Sequence, residues 1–207
     1  MIVPIGRWVL EQACAQAVAW RRAGFAISMS VNVSGRQLDG GDLVVDLRNI
    51  LIESGLEPEA LTIEITETAL MRNAQETARL LSAVKALGVR IAIDDFGTGY
   101  SSLAHLRQFP VDALKIDRTF VAGMTNNQQG ETLIHTLVQL GKALSLETLA
   151  EGIEEQHELA FLRAEQCDSG QGYLFARPLT AEAAETFLRE RTEAGIALPL
   201  DQIRTAS

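Results

Sequence analysis

Strand-patterned runs alternate with helix-patterned ones along almost the whole chain, and nearly every strand run ends in a polar or charged residue. Ile5, Val9, Ala13, Ala17 and Trp20 recur at helical spacing, and Gly24 is a natural stop. Ile27, Met29, Val31 and Val33 then alternate with polar neighbours at the period of a strand. Further helices are predicted over 43–52, on the face Thr77, Leu80, Leu81 and Val84, and over 133–144, 155–165 and 181–193. Strands are predicted at LTIEITE from Leu61, over 89–93, at ALKI from Ala113, and over 146–150 and 172–175. Asn73 with Glu76 three residues on reads as a capping box.

Strands separated by helices of this length imply an α/β fold with a parallel sheet under covering helices. An open doubly wound sheet gathers only the strand ends that flank its crevice, whereas a (β/α)8 barrel brings every C-terminal strand end to one mouth. Here the polar residues are spread over all of them: Asn32, Glu64 and Glu67, Asp94 and Asp95, Lys115 and Asp117, Glu151 and Glu154, and Gln171. The spread favours a TIM-like barrel. Only about six strands are found where eight are needed, so the expected barrel is incomplete, with its first strands absent. The expected domain runs over 1–194, with 195–207 as a C-terminal extension.

Composition narrows the function. A formal net charge of -9 gives no global field for nucleic acid, so no DNA or RNA binding is expected. An anionic ligand must therefore be met by a local metal, lysine or backbone N–H. Cys14 and Cys167 are too few for a disulfide scaffold and have no metal-ligand spacing. Neither a signal peptide nor a membrane-length apolar run is present. The expected location is cytoplasmic, with a membrane anchor possible in a parent protein.

The chemistry lies in the strand ends. Asp94 and Asp95 directly follow RIAI and precede FGTGYSS. Strand side chains alternate, so both can face the mouth only where the backbone turns. Glu64 sits inside an apolar strand, where a lone carboxylate is costly to bury. With Asn32 these groups form an all-oxygen set of the kind that suits magnesium or manganese. Lys115, also within a strand, reads as a positive charge for a phosphate or an attacking water. Glu151 and Glu154 bracket Gly152 and Ile153; one is suited to hold a metal or water, or both belong to an acidic first helical turn. His105, His135 and His157 stand apart from the pattern and read as surface residues. Such a set fits two-metal phosphodiester hydrolysis. A glycosidase would want an aromatic sugar platform, and aromatics are 5% of the chain.

VNVS at 31–34, EITE at 64–67, DDFGTGYSSL at 94–103, LKIDRTFV at 114–121, AEGIE at 150–154 and QGYLFARPL at 171–179 occur in one order. In that order and spacing the chain resembles the EAL-domain family of cyclic di-GMP phosphodiesterases, from Ile5 to the last helix. The resemblance implies hydrolysis of cyclic di-GMP to linear pGpG at the C-terminal face of a TIM-like barrel, with two Mg2+ or Mn2+ ions. It makes Asn32, Glu64 and Asp94 metal ligands, takes Asp95 to the second metal and its water, and places Asp117 and Glu154 at or beside the metals. Lys115 would stabilise the water and phosphate, Glu151 would be the general base, and Gln171 a water or ligand contact. Glu67 would brace the loop with Phe96, Gly97, Thr98 and Gly99, which couples the site to dimerisation. Arg36, Gln37 or Leu38 would touch a guanine edge. A homodimer and an upstream sensory or GGDEF domain are implied partners. The family's naming segment, with a further metal-binding glutamate, precedes the helix containing Trp8, and nothing in this chain occupies that place. A truncated enzyme is the favoured expectation, and a non-catalytic cyclic di-GMP receptor or regulatory interaction domain the alternative.

Overall fold

In the computed structural model, residues 2–40, 42–97, 106–124 and 128–193 are described. The expected extension over 195–207, the loop residues Thr98 and Gly99, and His105 lie outside them. Six strands, β1 (Met29–Asn32), β2 (Leu61–Thr66), β3 (Arg90–Phe96), β4 (Ala113–Ile116), β5 (Glu147–Ala150) and β6 (Ser169–Gly170), form one sheet. Every adjacent pair is parallel and the order follows the sequence, β1 to β6. Winding always in the same direction curls the sheet instead of opening it to both sides. The result is an open, incomplete barrel: among the described residues, no pairing joins β1 to β6.

The helices cover its outer face. They are α1 (Ile2–Arg22), α2 (Gly35–Asp39), α3 (Leu43–Ser54), α4 (Glu67–Met71), α5 (Ala74–Lys85), α6 (Arg118–Met124), α7 (Gln128–Leu144), α8 (Gln156–Ala164) and α9 (Ala181–Glu193). No helix among the described residues is long and apolar enough to cross a membrane. In α1 the buried stripe is Leu10, Cys14, Ala17 and Trp20, so the helix is rotated from the expected stripe and Ile5 is exposed. Gly24, at φ 95°, ends it in the left-handed region that glycine adopts without strain. Strands β2 and β4 are buried almost throughout because helices cover one side and the barrel interior the other.

Two local expectations are corrected, and three short helices are added. Asn73 makes no side-chain cap to the helix backbone; its amide donates to the Glu76 carboxylate instead. The short helices α2, α4 and α6 were not legible, since each is too brief to show a period. Residues 172–175 form a turn, and the strand lies just before it at Ser169–Gly170. Gly172 is the reason: a Cβ there would fall 2.1 Å from the Ile153 carbonyl oxygen, so the chain crosses the 151–154 loop in contact with its backbone. Leu174 N–H then donates to that carbonyl at 2.9 Å.

A Glu-Ala-Leu tripeptide does occur, at Glu59–Leu61, and position excludes it from the mouth. It spans a 3-10 turn and the first residue of β2, at the N-terminal end of the strand, with Glu59 exposed. Asn32 and Glu64 lie toward the opposite end.

Candidate active site

The strand register brings the predicted residues together. Asn32 pairs with Glu64 across β1 and β2, and Thr66 with Asp94 across β2 and β3. Alternation then points Ser30, Asn32, Glu64, Asp94 and Lys115 inward. With Glu151, Glu154 and Gln171 they line one cleft of about 360 Å3, within the span of roughly 300–1,000 Å3 usual for small-molecule sites.

Adjacent aspartates reach the same mouth because β3 carries an extra residue. Ile93 pairs with Leu114 but Phe96 pairs with Ile116, a register shift spanning Asp94 and Asp95. Asp95 takes φ 53°, one of few non-glycine residues with a left-handed backbone, and its N–H donates to Asp94 Oδ1 at 3.1 Å. Carboxylate oxygens of Asp94, Asp95 and Glu151 lie within 4.8 Å of one another.

Lys115 is the centre of the cluster. Its Nζ lies 2.5 Å from Glu64 Oε2, 2.8 Å from Asp94 Oδ1 and 2.6 Å from Glu151 Oε1, with its side chain only 4% exposed. Burial alone would lower the lysine's pKa, but Glu64, Glu151 and Asp94 outweigh it and hold the ammonium well above its ordinary value. Burial likewise raises the Glu151 carboxyl against the opposing pull of Lys115, and the Asp94 and Glu64 charges add to the rise. Asp95 is also pushed up, by burial first and then by Asp94 and Asp117. One ammonium faces four carboxylates, so the floor remains negative by three charges if all are ionised. An all-oxygen donor set with that excess fits one or more hard divalent cations.

Glu151 carries a stability cost that a neutral isostere removes. A carboxyl whose folded-state pKa is raised contributes its full stability below its unfolded value and loses that contribution as pH rises through the folded one. Glu151→Gln is therefore expected to raise the metal-free melting temperature at neutral pH. The difference should vanish below the ordinary value of 4.5. Thermal scans across pH in chelator measure it; a neutral-pH loss would mean that the Lys115 pair outweighs burial.

The remaining predicted residues divide. Gln171 Nε2 donates to Glu151 Oε1 at 2.8 Å, fixing that carboxylate from a second side. Buried Glu67, the first residue of α4, accepts the Gly97 N–H at 2.9 Å, and Gly97 itself packs on Phe120. Phe96 is buried in the core. Asp117 Oδ1 accepts the Thr119 N–H at 2.9 Å and its hydroxyl at 2.5 Å, which ties it to the start of α6. Glu154 is exposed on the cleft rim, and its N–H donates to Glu158 Oε2 at 2.8 Å. Arg36, Gln37 and Leu38 sit on α2 and do not line the cleft. Gln37 is buried against Gly6 of α1, and its Oε1 accepts the Ser34 N–H at 3.1 Å.

Sequence reasoning missed Arg118, Tyr173, Phe175, Arg177 and Phe187, all of which line the cleft. The aromatics were discounted because they are scarce; three of them converge here. Gly152, between Glu151 and Ile153, has φ 71°, and a Cβ there would lie 2.5 Å from Arg118 Cβ. Gly152→Ala combines a left-handed backbone with that clash and is expected to cost about 1–3 kcal/mol. Denaturant titration of the metal-free protein checks this, and an unchanged midpoint would show that the loop absorbs the methyl.

A family model described as EAL domain matches residues 1–178. This chain belongs to the EAL domain family. The cyclic di-GMP phosphodiesterase NbdA of Pseudomonas aeruginosa is 42% identical over 91% of the chain and 24% of its own length. The EAL chain thus spans about a quarter of the length of the curated relatives it matches. Among solved structures, the MucR phosphodiesterase in complex with c-di-GMP, from Pseudomonas aeruginosa, superposes with TM-score 0.84 at 42% identity. That match covers 87% of this chain and 74% of the other. Klebsiella pneumoniae BlrP1, in a manganese and cyclic di-GMP complex, superposes with TM-score 0.74 at 28% identity over 84% of this chain and 45% of its own. The strand-end cluster is thus an EAL-type site with carboxylates suited to a divalent metal, consistent with hydrolase chemistry.

Proposed function

We propose that this site hydrolyses one phosphodiester bond of cyclic di-GMP to give linear pGpG. The observation that carries it is the buried Lys115 ammonium held by Glu64, Asp94 and Glu151 beside Asp95, at the mouth of a parallel strand array. Asn32, Glu64, Asp94 and Asp95, with Asp117 and Glu154 at the margin, are the residues that would hold two Mg2+ or Mn2+ ions. Held there, such ions would supply the charge that lowers the pKa of a water and offsets the phosphoryl oxygens.

The chain's own residues do the rest. Glu151 is anchored through Oε1 by both Lys115 and Gln171, which leaves Oε2 to take a proton from water as general base. Its raised pKa brings it nearer to the working pH of such a base. Lys115 supplies a fixed positive charge where negative charge develops on phosphate. Glu67 holds the Gly97 amide and so ties the end of β3 to α4, the connection through which dimerisation would reach the site. The parent protein is read as a cytoplasmic homodimeric signalling protein, with a sensory or GGDEF domain beside this one.

The test is product formation. Cyclic di-GMP is incubated with the whole parent protein and magnesium, then manganese, and the products are separated by chromatography. Linear pGpG that disappears with chelator is the expected result. Binding of cyclic di-GMP by calorimetry without turnover in either metal would replace the enzyme with a receptor.

A further inference from the structure

The floor of the cleft is acidic and so is the chain, with a net charge of -9. Divalent ions held on that floor would offset its carboxylates, but a phosphodiester ligand must first cross the rim of a negatively charged chain, where positive side chains favour its approach. Lys115 does not supply it at the rim, because it is buried and held by three carboxylates. Two other cations line the same cleft, Arg118 and Arg177, both exposed.

Their surroundings separate them from ordinary solvated arginines. Arg118 opens α6, and its Cα and Cβ abut Gly152, so its root is packed against the loop that carries Glu151 and Glu154. Arg177 lies with its Cζ 4.8 Å from the centroid of the Tyr173 ring, a cation–π contact that anchors the guanidinium at the rim. Neither guanidinium forms an ion pair among the described residues, although Glu154 lines the same cleft. Two rooted, uncommitted forks at the mouth of an acidic cleft present the geometry that matches phosphate oxygens.

We propose that Arg118 and Arg177 are the phosphate-binding residues of the rim, which draw an anionic nucleotide onto the carboxylate floor. This rests on the function proposed above. Arg118 acts as a charge on the side of Glu151, whereas Arg177 needs both its charge and its guanidinium contact with the Tyr173 ring. The two positions therefore differ in what lysine can replace.

The whole parent protein with manganese is assayed on cyclic di-GMP as Arg118→Gln, Arg177→Gln and the two lysine variants, at low and high salt. Each glutamine variant is expected to raise KM about 10-fold or more, as loss of a charge-assisted hydrogen bond implies, with kcat within about 2-fold. The salt dependence of kcat/KM should flatten in both, since fewer charges act on the approaching anion. Lysine should restore Arg118 but not Arg177. The manganese-induced rise in melting temperature should match wild type, which shows that the floor is intact. Wild-type activity with KM and salt dependence unchanged in the glutamine variants overturns this proposal alone. If the wild type binds without turnover, the dissociation constant takes the place of KM with the same expected ratios. A wild type that neither binds nor hydrolyses cyclic di-GMP overturns the functional reading and this proposal together.

Discussion

Lys115→Met is expected to destabilise the metal-free protein by about 3–5 kcal/mol, the usual cost of removing one partner from a buried ionic network. For a chain of this size that is a fall of roughly 10 °C in melting temperature. Methionine fills much of the lysine's volume, so the loss reads charge more than cavity. The three carboxylates left behind, Glu64, Asp94 and Glu151, repel one another without a counter-ion. Two further readings separate this from a packing defect. Manganese should raise the melting temperature of the variant more than that of wild type, because the ion replaces the missing positive charge. The gap to wild type should also narrow in acid, as the carboxylates are neutralised. A lysine with a raised folded-state pKa keeps its full contribution below 10.5 and loses it only above that value. A drop of less than 1 kcal/mol by denaturant titration would contradict the central place given to this ammonium.

Asp94→Asn is expected to abolish the manganese-induced gain in melting temperature and to lower cyclic di-GMP turnover by at least about 100-fold. Asp94 Oδ1 accepts both the Asp95 N–H and the Lys115 ammonium, so it joins the bulge on β3 to the centre of the cluster. Asparagine keeps one acceptor at that point but removes the charge a divalent ion needs. The metal-free fold should therefore survive, which near-ultraviolet circular dichroism can verify. Retained metal stabilisation in Asp94→Asn would place the ion elsewhere in the cleft.

Much of this arrangement was legible because polar residues stand at strand ends, where a parallel array gives them one destination. Asn32, Glu64, Asp94, Lys115 and Glu151 interrupt apolar runs, and an interruption of that kind is costly unless the groups meet. The Asp94–Asp95 pair was understood only as far as a turn was required; the extra residue in β3 that supplies it depends on the register with β4. The strand predicted over 172–175 failed because Gly172 meets the Ile153 backbone, a contact between segments far apart in sequence. Arg118 and Arg177 were invisible for the same reason. Arg118 follows the last polar residue of a strand end and Arg177 lies just beyond a turn, and only the curled sheet brings the two into one cleft. Gln37 shows the converse, since a polar residue expected at a guanine edge is here tied to Ser34 and packed on α1.

The most direct test of the strand-end cluster as the working centre is to locate the metal itself. Crystals of the protein soaked with manganese, with data collected at the manganese absorption edge, report its position without reference to activity. The prediction is an anomalous peak in contact with Asp94, with Glu64 and Asp95 among its ligands and Lys115 turned toward Glu151. A strongest peak away from these strand ends, or none at saturating manganese with Lys115 still holding all three carboxylates, would contradict it.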